Sequence, residues 1–231
     1  MRLRALMDFF FPRQCVVCGR NLAIEEHFLC SCCLLGMPVV RYVSYEDNPM
    51  AQTFWGLVPF ERAAAVFHYR HDSALSRLLF EMKYHHNPRI CYEMGRLMAT
   101  KMLARGFFDG VDVIVPIPLA EERRRERGYN QSECLARGIA DVTGLPVSVD
   151  SVVRMISNPS QTMLGADSRR ENVRDIFAVT DPDILTGCHV LLVDDVMTTG
   201  ATLLSCAETI AGRCTIRLSV LTLAVAGHSW G

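Results

Sequence analysis

Two adjacent carboxylates stand between a short apolar run and a turn rich in hydroxyl groups. Residues 190–193 are apolar, Asp194 and Asp195 follow them, and residues 198–202 read Thr-Thr-Gly-Ala-Thr. In a turn that leads into a helix, backbone N–H groups point towards a bound anion, and the helix N-terminus adds a favourable field. Gly200 lets the backbone approach the anion closely, and the threonine hydroxyls add donors. The pattern predicts an anion site made of a strand, a turn and a helix.

Acidic side chains beside an anion site favour a sugar phosphate as the ligand. The phosphate would lie against the turn, while Asp194 and Asp195 would accept hydrogen bonds from ribose hydroxyls. The sequence has no GxxxxGK[ST] motif and no GxGxxG motif after a strand, so other phosphate loops fit worse. The alternative interpretation is an ordinary turn of a doubly wound domain with acidic residues at its rim.

Cysteines near the start of the chain have the spacing of metal ligands. Two CxxC pairs are present, and each pair can place two thiolates on one face of a tetrahedral ion. Four thiolates select zinc over magnesium or calcium, so we expect a structural zinc site. Its predicted ligands are Cys15, Cys18, Cys30 and Cys33. Cys32 is a competing fourth ligand, and an iron–sulfur site or a redox pair are the open alternatives.

Two further stretches have features of a phosphate site. Four of the five residues 123–127 are arginines, and arginine is well suited to forking onto phosphate oxygens. The alternative is a solvated loop that neighbouring glutamates partly neutralise. Residues 111–118 form an apolar run that ends in Pro116 and Pro118, which predicts a strand followed by a rigid pocket edge. Either X-Pro bond could be cis.

Composition limits the class of protein. The chain has 231 residues, of which 50% are hydrophobic, and a formal net charge of -1. This length suits one medium domain with a small accessory module, and the charge gives no global attraction to nucleic acid or membrane. No run of 18 apolar residues occurs, so we expect no membrane span. Residues 1–11 resemble a signal peptide but contain Asp8 and lack a cleavage site, so we expect a short amphipathic helix and a cytoplasmic protein.

The order of apolar segments predicts the fold that positions these residues. Segments with strand and helix patterns alternate between residues 60 and 225, which predicts a mostly parallel α/β sheet flanked by helices. We therefore divide the chain into a zinc-binding module (residues 1–40), a linker (41–59) and an α/β domain (60–231). Strands are predicted at 63–69, 111–118, 147–149 (or extended through Val153), 176–179, 190–193 and 215–225, and helices at 73–84, 87–105, 130–143 and 203–211.

These motifs together resemble the ComF family, also labelled GntX, of phosphoribosyltransferase-like proteins linked with competence and DNA uptake. The resemblance runs nearly end to end. The 192–202 stretch also closely resembles the ribose-phosphate motif of type I phosphoribosyltransferases. The matching residues are the two CxxC pairs, 82–84, 115–119, 127–131, Gln161 with 170–173, and 192–202.

The resemblance implies a type I phosphoribosyltransferase-like domain that binds phosphoribosyl pyrophosphate (PRPP) with Mg²⁺. By this likeness, Asp194, Asp195 and Arg127 would be catalytic, and Arg127 or Lys83 would supply positive charge. The loop after the second strand would flank the pyrophosphate, and the turn would surround the 5′-phosphate. The implied substrate-binding residues are Lys83, Pro116, Ile117, Pro118, Met197, Thr198, Thr199, Gly200, Ala201 and Thr202.

Two functions fit this resemblance. The first is a Mg²⁺-dependent phosphoribosyltransferase that acts in DNA uptake on an unknown acceptor. The second is a non-catalytic accessory protein that senses PRPP or binds single-stranded DNA with the same fold, because the zinc module and the arginine run can both meet phosphate backbones. Other competence or DNA-processing proteins are the partners that the resemblance implies.

Overall fold

The computed structural model of the chain describes residues 12–84, 87–155 and 176–227. The expected opening helix within residues 1–11 lies outside the described residues, as do Gln161 and residues 170–173 of the family resemblance. No helix in the described ranges has the length and apolar character needed to cross a membrane.

The core of the molecule is a four-stranded parallel sheet. Its strands are β1 (Phe60–His68), β2 (Val113–Pro116), β5 (His189–Met197) and β6 (Arg217–Val225), in the spatial order β1-β6-β5-β2. A separate antiparallel pair is formed by β3 (Val152–Arg154) and β4 (Phe177–Val179). Parallel strands that are buried on both faces read as continuous apolar runs, which is why the sequence shows them clearly. The predicted fold class, a mostly parallel sheet flanked by helices with a small N-terminal module of four clustered cysteines, is confirmed.

Helices cover both faces of this sheet. The described helices are α1 (Ser31–Leu35), α2 (Pro49–Gln52), α3 (Ala74–Tyr84), α4 (Pro88–Leu103), α5 (Glu121–Arg127), α6 (Gln131–Thr143), α7 (Pro182–Leu185) and α8 (Ala201–Ala211). One apolar core contains residues of α3, α4 and α6, and the other contains residues of α2, α7 and α8. Cys15, Leu29 and Cys30 belong to the first core, so the N-terminal module packs on the same side as α4.

Helices α4 and α6 approach each other unusually closely, and this contact fixes the position of α6 beside the sheet. A Cβ atom at Gly95 would collide with the backbone of Leu135, and one at Gly138 would collide with the backbone of Tyr92. Only glycine therefore fits at these two crossing points. Because α6 begins next to the end of β2, the crossing also determines where the first turn of α6 lies.

Several predicted boundaries are wrong. Strand β5 continues through Met197, so Asp194 and Asp195 lie within the strand and do not follow it. Helix α8 begins at Ala201, two positions before the predicted start, because Gly200 already caps it. The predicted strand at 147–149 is a single bridge between Val147 and Ile114, and the alternative extension through Val153 overlaps the observed strand at Val152–Arg154 without matching its bounds. The arginine run forms helix α5 where the alternative interpretation expected a loop.

Part of the segment 41–59 packs on the sheet, although Val43, Trp55 and Leu57 are exposed. Met50 and Phe54 are fully buried, and Asn48 caps α2 by accepting a hydrogen bond from the Ala51 N–H. The Asn48 side-chain amide also donates to the Ala63 carbonyl of β1, at 3.0 Å. The proposed division at residues 40 and 59 stays a prediction.

Candidate functional site

The turn after β5 has the backbone geometry of an anion site. Gly200 has φ +79° and caps α8, in a conformation that favours glycine. A Cβ atom there would lie 2.7 Å from the Met197 Cε and 2.9 Å from the Thr53 Cγ2, so no larger residue fits without movement. The buried Met197 side chain therefore packs directly against Gly200 in this turn.

The N–H groups of this turn are available to a ligand. Among the described residues, no hydrogen bond takes up the N–H groups of Thr198, Thr199 or Gly200, while Ala201 N–H reaches Thr199 Oγ1 at 3.4 Å. Thr198 and Thr199 are exposed. A small cavity of about 40 Å³, the turn cavity, lies against these residues. Backbone donors at the start of an eleven-residue helix form a favourable environment for a phosphate.

The two carboxylates have different surroundings. Asp194 accepts hydrogen bonds from Ser132 Oγ at 2.8 Å and from the Asp195 N–H at 2.9 Å. Burial and the neighbouring charge of Asp195 raise the pKa of Asp194 to about 7, against the effect of these two hydrogen bonds and of Lys83. Asp195 forms an ion pair with Lys83, whose Nζ lies 2.9 Å from its Oδ2. Asp194 therefore keeps its proton to a higher pH than an ordinary aspartate does, while Asp195 is paired with Lys83.

A second cavity, of about 140 Å³, brings positive side chains to these carboxylates; we call it the cation-lined cavity. Its lining residues are Lys83, Ile117, Pro118, Leu119, Arg123, Arg127, Gln131, Ser132, Arg154, Asp194, Asp195 and Thr202. Four of these side chains are basic and two are acidic, in a space suited to a multiply charged phosphate group that carries a cation.

Arg127 is held in place by two neighbours. Its Nη1 donates to Gln131 Oε1 at 2.8 Å, and its guanidinium carbon lies 5.8 Å from the Tyr84 ring centroid. Because the arginine run is helical, its members point to different faces of α5. Arg123 and Arg127 are one turn apart on the face that lines the cation-lined cavity. Arg125 is 80% exposed and pairs with Glu121 at 3.1 Å.

Most of the predicted site residues come together here. Lys83, Ile117, Pro118, Arg127, Asp194, Asp195 and Thr202 line the cation-lined cavity, and Met197, Thr198, Thr199, Gly200 and Ala201 line the turn cavity. Pro116 lies apart from both, buried in β2 beside Val193. Both X-Pro bonds of the 115–118 segment are trans.

Two lining residues, Ser132 and Arg154, were missed by sequence reasoning. Ser132 lies in the first turn of α6 and donates a hydrogen bond to Asp194. Asn130 caps this helix by accepting a hydrogen bond from the Ser132 N–H, and the Asn130 amide donates to the Ile117 carbonyl at 3.0 Å. Arg123 belongs to the arginine run that the sequence analysis assigned to phosphate, and it lies one helical turn before Arg127. Arg154 had no signal in the sequence, since it is a lone arginine at the end of a short strand. Burial and the proximity of Arg123 lower the pKa of Arg154, whereas Asp194 opposes this shift.

The four predicted zinc ligands form a separate cluster. The sulfur atoms of Cys15, Cys18, Cys30 and Cys33 all lie within 4.8 Å of one another. Two of these sulfurs accept hydrogen bonds from backbone N–H groups. The Cys30 N–H donates to the Cys15 sulfur and the Cys33 N–H donates to the Cys30 sulfur, each at 3.4 Å. Cys32 is exposed and its sulfur contacts Arg20 at 3.4 Å, so Cys33 completes the cluster. A group of four thiols supported by N–H donors fits a tetrahedral zinc ion.

Known proteins similar to this chain are named for DNA utilization or for competence. No protein-family model matches the chain. The chain is 27% identical to the DNA utilization protein YhgH of Salmonella typhimurium, over 85% of this chain and 90% of that protein. It is 28% identical to Competence protein F of Haemophilus influenzae (84% and 89%) and 34% identical to Competence protein ComFC of Bacillus subtilis over a shorter stretch (39% and 35%). The resemblance to the ComF family is confirmed.

The motifs that carry this resemblance surround the two cavities. Residues 82–84, 115–119, 127–131 and 192–202 each contribute lining residues or the groups that hold them. Solved structures that match include the glutamine PRPP amidotransferase of B. subtilis, with 18% identity and a TM-score of 0.42, over 61% of this chain and 30% of that chain. A hypoxanthine phosphoribosyltransferase of Trypanosoma cruzi matches with 14% identity and a TM-score of 0.37, over 60% and 78%.

Proposed function

We propose that this chain binds PRPP with Mg²⁺ and is a phosphoribosyltransferase-family protein that acts in DNA uptake on an acceptor still to be identified. The observation that carries the proposal is the junction of the two cavities. Asp194 and Thr202 line both cavities. The available backbone N–H groups of the turn therefore lie next to the carboxylate pair and the four basic side chains. A sugar that bears a phosphate at one end and a pyrophosphate at the other has the matching distribution of charge.

Each part of PRPP has a counterpart in this site. The 5′-phosphate would accept hydrogen bonds from the N–H groups of residues 198–200, and the ribose hydroxyls would donate to Asp194 and Asp195. The pyrophosphate would occupy the cation-lined cavity, next to Lys83 and Arg127. Arg123 and Arg154 would add two further charges to that end of the ligand.

The proposed reaction needs no nucleophile from the protein. As pyrophosphate leaves, negative charge grows on its oxygens and positive charge grows at the sugar C1. The basic side chains stabilise the first charge and the Asp194–Asp195 pair stabilises the second. Lys83, whose Nζ lies 2.9 Å from Asp195 Oδ2, would turn towards the pyrophosphate. Asp194 and Asp195 also supply the oxygen ligands that Mg²⁺ prefers, and the ion would neutralise charge on the leaving group.

A titration of the chain with PRPP and Mg²⁺, followed by product analysis, tests this proposal. We expect saturable binding to the wild-type chain, pyrophosphate release with some acceptor, and loss of both in Asp194→Ala plus Asp195→Ala. Asp183→Ala is the matched control, because Asp183 is exposed in α7. No binding by the wild-type chain, or equal binding by the double variant, would refute the proposal. Binding without a product would favour the accessory function.

One surface favours the second function, that of an accessory protein for single-stranded DNA. Phe80 and Tyr84 are 54% and 49% exposed, with ring centroids 4.8 Å apart on α3. Arg127 lies over Tyr84, and the exposed Arg77 lies one turn before Phe80. Bases stack on exposed aromatic rings while nearby arginines meet the phosphates. Salt-dependent binding of an oligonucleotide, lost in Tyr84→Ala, would support this function, and binding unaffected by salt would oppose it.

We also propose that Cys15, Cys18, Cys30 and Cys33 hold a structural zinc ion. Such a site has no open position for substrate, so its contribution is to folding. Cys15 and Cys30 belong to the core shared with α4, which would link zinc binding to the stability of that face of the sheet.

A further inference from the structure

Tyr129 lies in the short connection between α5 and α6, at a position that both helix ends fix. Gly128 ends α5 with φ +78°, and its N–H donates to the Arg124 carbonyl at 2.8 Å. Asn130 caps α6, and its side-chain amide donates to the Ile117 carbonyl just after β2. The backbone of Tyr129 therefore has a hydrogen-bonded anchor on each side.

The Tyr129 side chain reaches from this connection to the last turn of α3. Its hydroxyl donates a hydrogen bond to the Met82 carbonyl, and the buried Cys91 thiol of α4 donates to the same hydroxyl at 3.6 Å. Carbonyls in the last turn of a helix have no partner within that helix, so a donor from elsewhere can hold the helix end in place. Burial raises the pKa of Tyr129, so its hydroxyl keeps its proton and remains a donor.

Lys83, the residue after Met82, brings a positive charge from α3 into the site. Its Nζ lies 2.9 Å from Asp195 Oδ2, and Lys83 lines the cation-lined cavity. A lysine has a flexible four-carbon stem, so the position of its ammonium group depends on where the backbone that carries it is held. Tyr129 contacts that backbone one residue away from Lys83.

We propose that Tyr129 is a positioning residue for Lys83: through the Met82 carbonyl, it holds the lysine where its ammonium group reaches Asp195 and the pyrophosphate end of the ligand. The identity of this ligand rests on the proposed function, whereas the effect of Tyr129 on Lys83 can be measured without any ligand. Among the described residues, Tyr129 lines neither the cation-lined cavity nor the turn cavity. Loss of its hydroxyl should therefore weaken binding of the pyrophosphate group and spare the 5′-phosphate.

The first measurement follows the Lys83 side chain by NMR, in the zinc-loaded full chain without ligand. The sequence contains two lysines, Lys83 and Lys101, and Lys101 is exposed on α4. After labelling of the lysine Cε with ¹³C, Lys83→Arg assigns the two signals. Tyr129→Phe removes the hydroxyl and keeps the ring. We expect it to move the Lys83 signal towards its position in Asp195→Asn, which lacks the ion pair, while the Lys101 signal stays in place.

The second measurement is a double-mutant cycle on ligand binding, followed by calorimetry with Mg²⁺. Tyr129→Phe should bind PRPP about five- to tenfold more weakly than the wild-type chain, as expected for the loss of one hydrogen bond, and should bind ribose 5-phosphate with unchanged affinity. In a Lys83→Met background, Tyr129→Phe should cause less than about a twofold further loss, because the side chain through which it acts is gone.

Tyr92→Phe is the matched control. It makes the same chemical change on α4, where the Tyr92 hydroxyl has no hydrogen bond to any residue that the structure describes. This variant should bind PRPP and ribose 5-phosphate like the wild-type chain, and its Lys83 signal should not move.

The outcomes separate this inference from the proposed function. If the Lys83 signal is unchanged in Tyr129→Phe, or if this variant loses as much PRPP affinity in the Lys83→Met background as in the wild-type chain, Tyr129 does not position Lys83. An equal loss of affinity for PRPP and for ribose 5-phosphate would also overturn the inference, because it would show a general structural role. If the wild-type chain binds neither ligand, the proposed function is wrong, and the Lys83 signal alone decides the inference.

Discussion

Replacing Asp194 by asparagine should stabilise the protein while destroying its ligand site. Burial and Asp195 raise the pKa of Asp194 from 3.8 to about 7. One pKa unit corresponds to about 1.4 kcal/mol, so ionised Asp194 disfavours the folded state by about 4 kcal/mol at about pH 8.5 relative to an uncharged side chain. Asparagine keeps an oxygen that can accept the hydrogen bonds of Ser132 and of the Asp195 N–H.

The sign of the pH dependence follows from the direction of the shift. The folded state holds the proton of Asp194 more tightly than the unfolded state does. Its contribution to stability is therefore complete below about pH 4 and is lost as the pH rises through about 7. Between about pH 6 and about pH 8.5, this carboxyl alone should lower the free energy of unfolding of the wild-type chain by on the order of 1 kcal/mol.

Urea unfolding followed by circular dichroism, in buffers that contain zinc, measures both effects. Asp194→Asn should unfold at higher urea concentration than the wild-type chain, with the difference growing from about pH 6 to about pH 8.5. Asp183→Asn, which removes an exposed carboxylate, should change neither the urea concentration of unfolding nor its dependence on pH. If Asp194→Asn is no more stable than the wild-type chain at about pH 8.5, or if both lose stability equally with pH, the assigned burial of Asp194 is wrong.

Three other variants test separate parts of the account. Gly200→Ala should lose about 1–2 kcal/mol of stability because of its positive φ, and should weaken ribose 5-phosphate binding measured by calorimetry; unchanged binding would refute the role of the turn. Arg127→Ala should weaken PRPP binding about 10- to 100-fold but leave ribose 5-phosphate binding intact, whereas Arg125→Ala should affect neither. Cys33→Ser should lose stoichiometric zinc by elemental analysis and Cys32→Ser should retain it, and the reverse result would reassign the fourth ligand.

The sheet and the turn could be predicted from sequence because their signals are local. Buried parallel strands such as β5 and β6 are continuous apolar runs, and the 198–202 turn has the residue types that its backbone requires. The CxxC pairs are equally local. Strand ends were less predictable: Asp194 and Asp195 remain in the ladder beside Thr222 because backbone pairing with β6 continues past the apolar residues.

Long-range contacts could not be predicted in the same way. Ser132 reaches Asp194 only because α4 and α6 cross at Gly95 and Gly138, and nothing near Ser132 in the sequence reports that crossing. Arg154 lines the cation-lined cavity by the position of β3, which no local pattern specifies. The pairing of Lys83 with Asp195 likewise depends on tertiary packing, although the family resemblance had already placed Lys83 at the site.

The most direct test of the central claim is to follow the backbone amides of Thr198, Thr199 and Gly200 by NMR during a titration with ribose 5-phosphate. The account predicts large downfield amide proton shifts at these positions, because their N–H groups take up a phosphate. Smaller changes should follow at Asp194 and Asp195 as the sugar hydroxyls bind. Saturable binding that leaves the three amides unchanged would contradict the account.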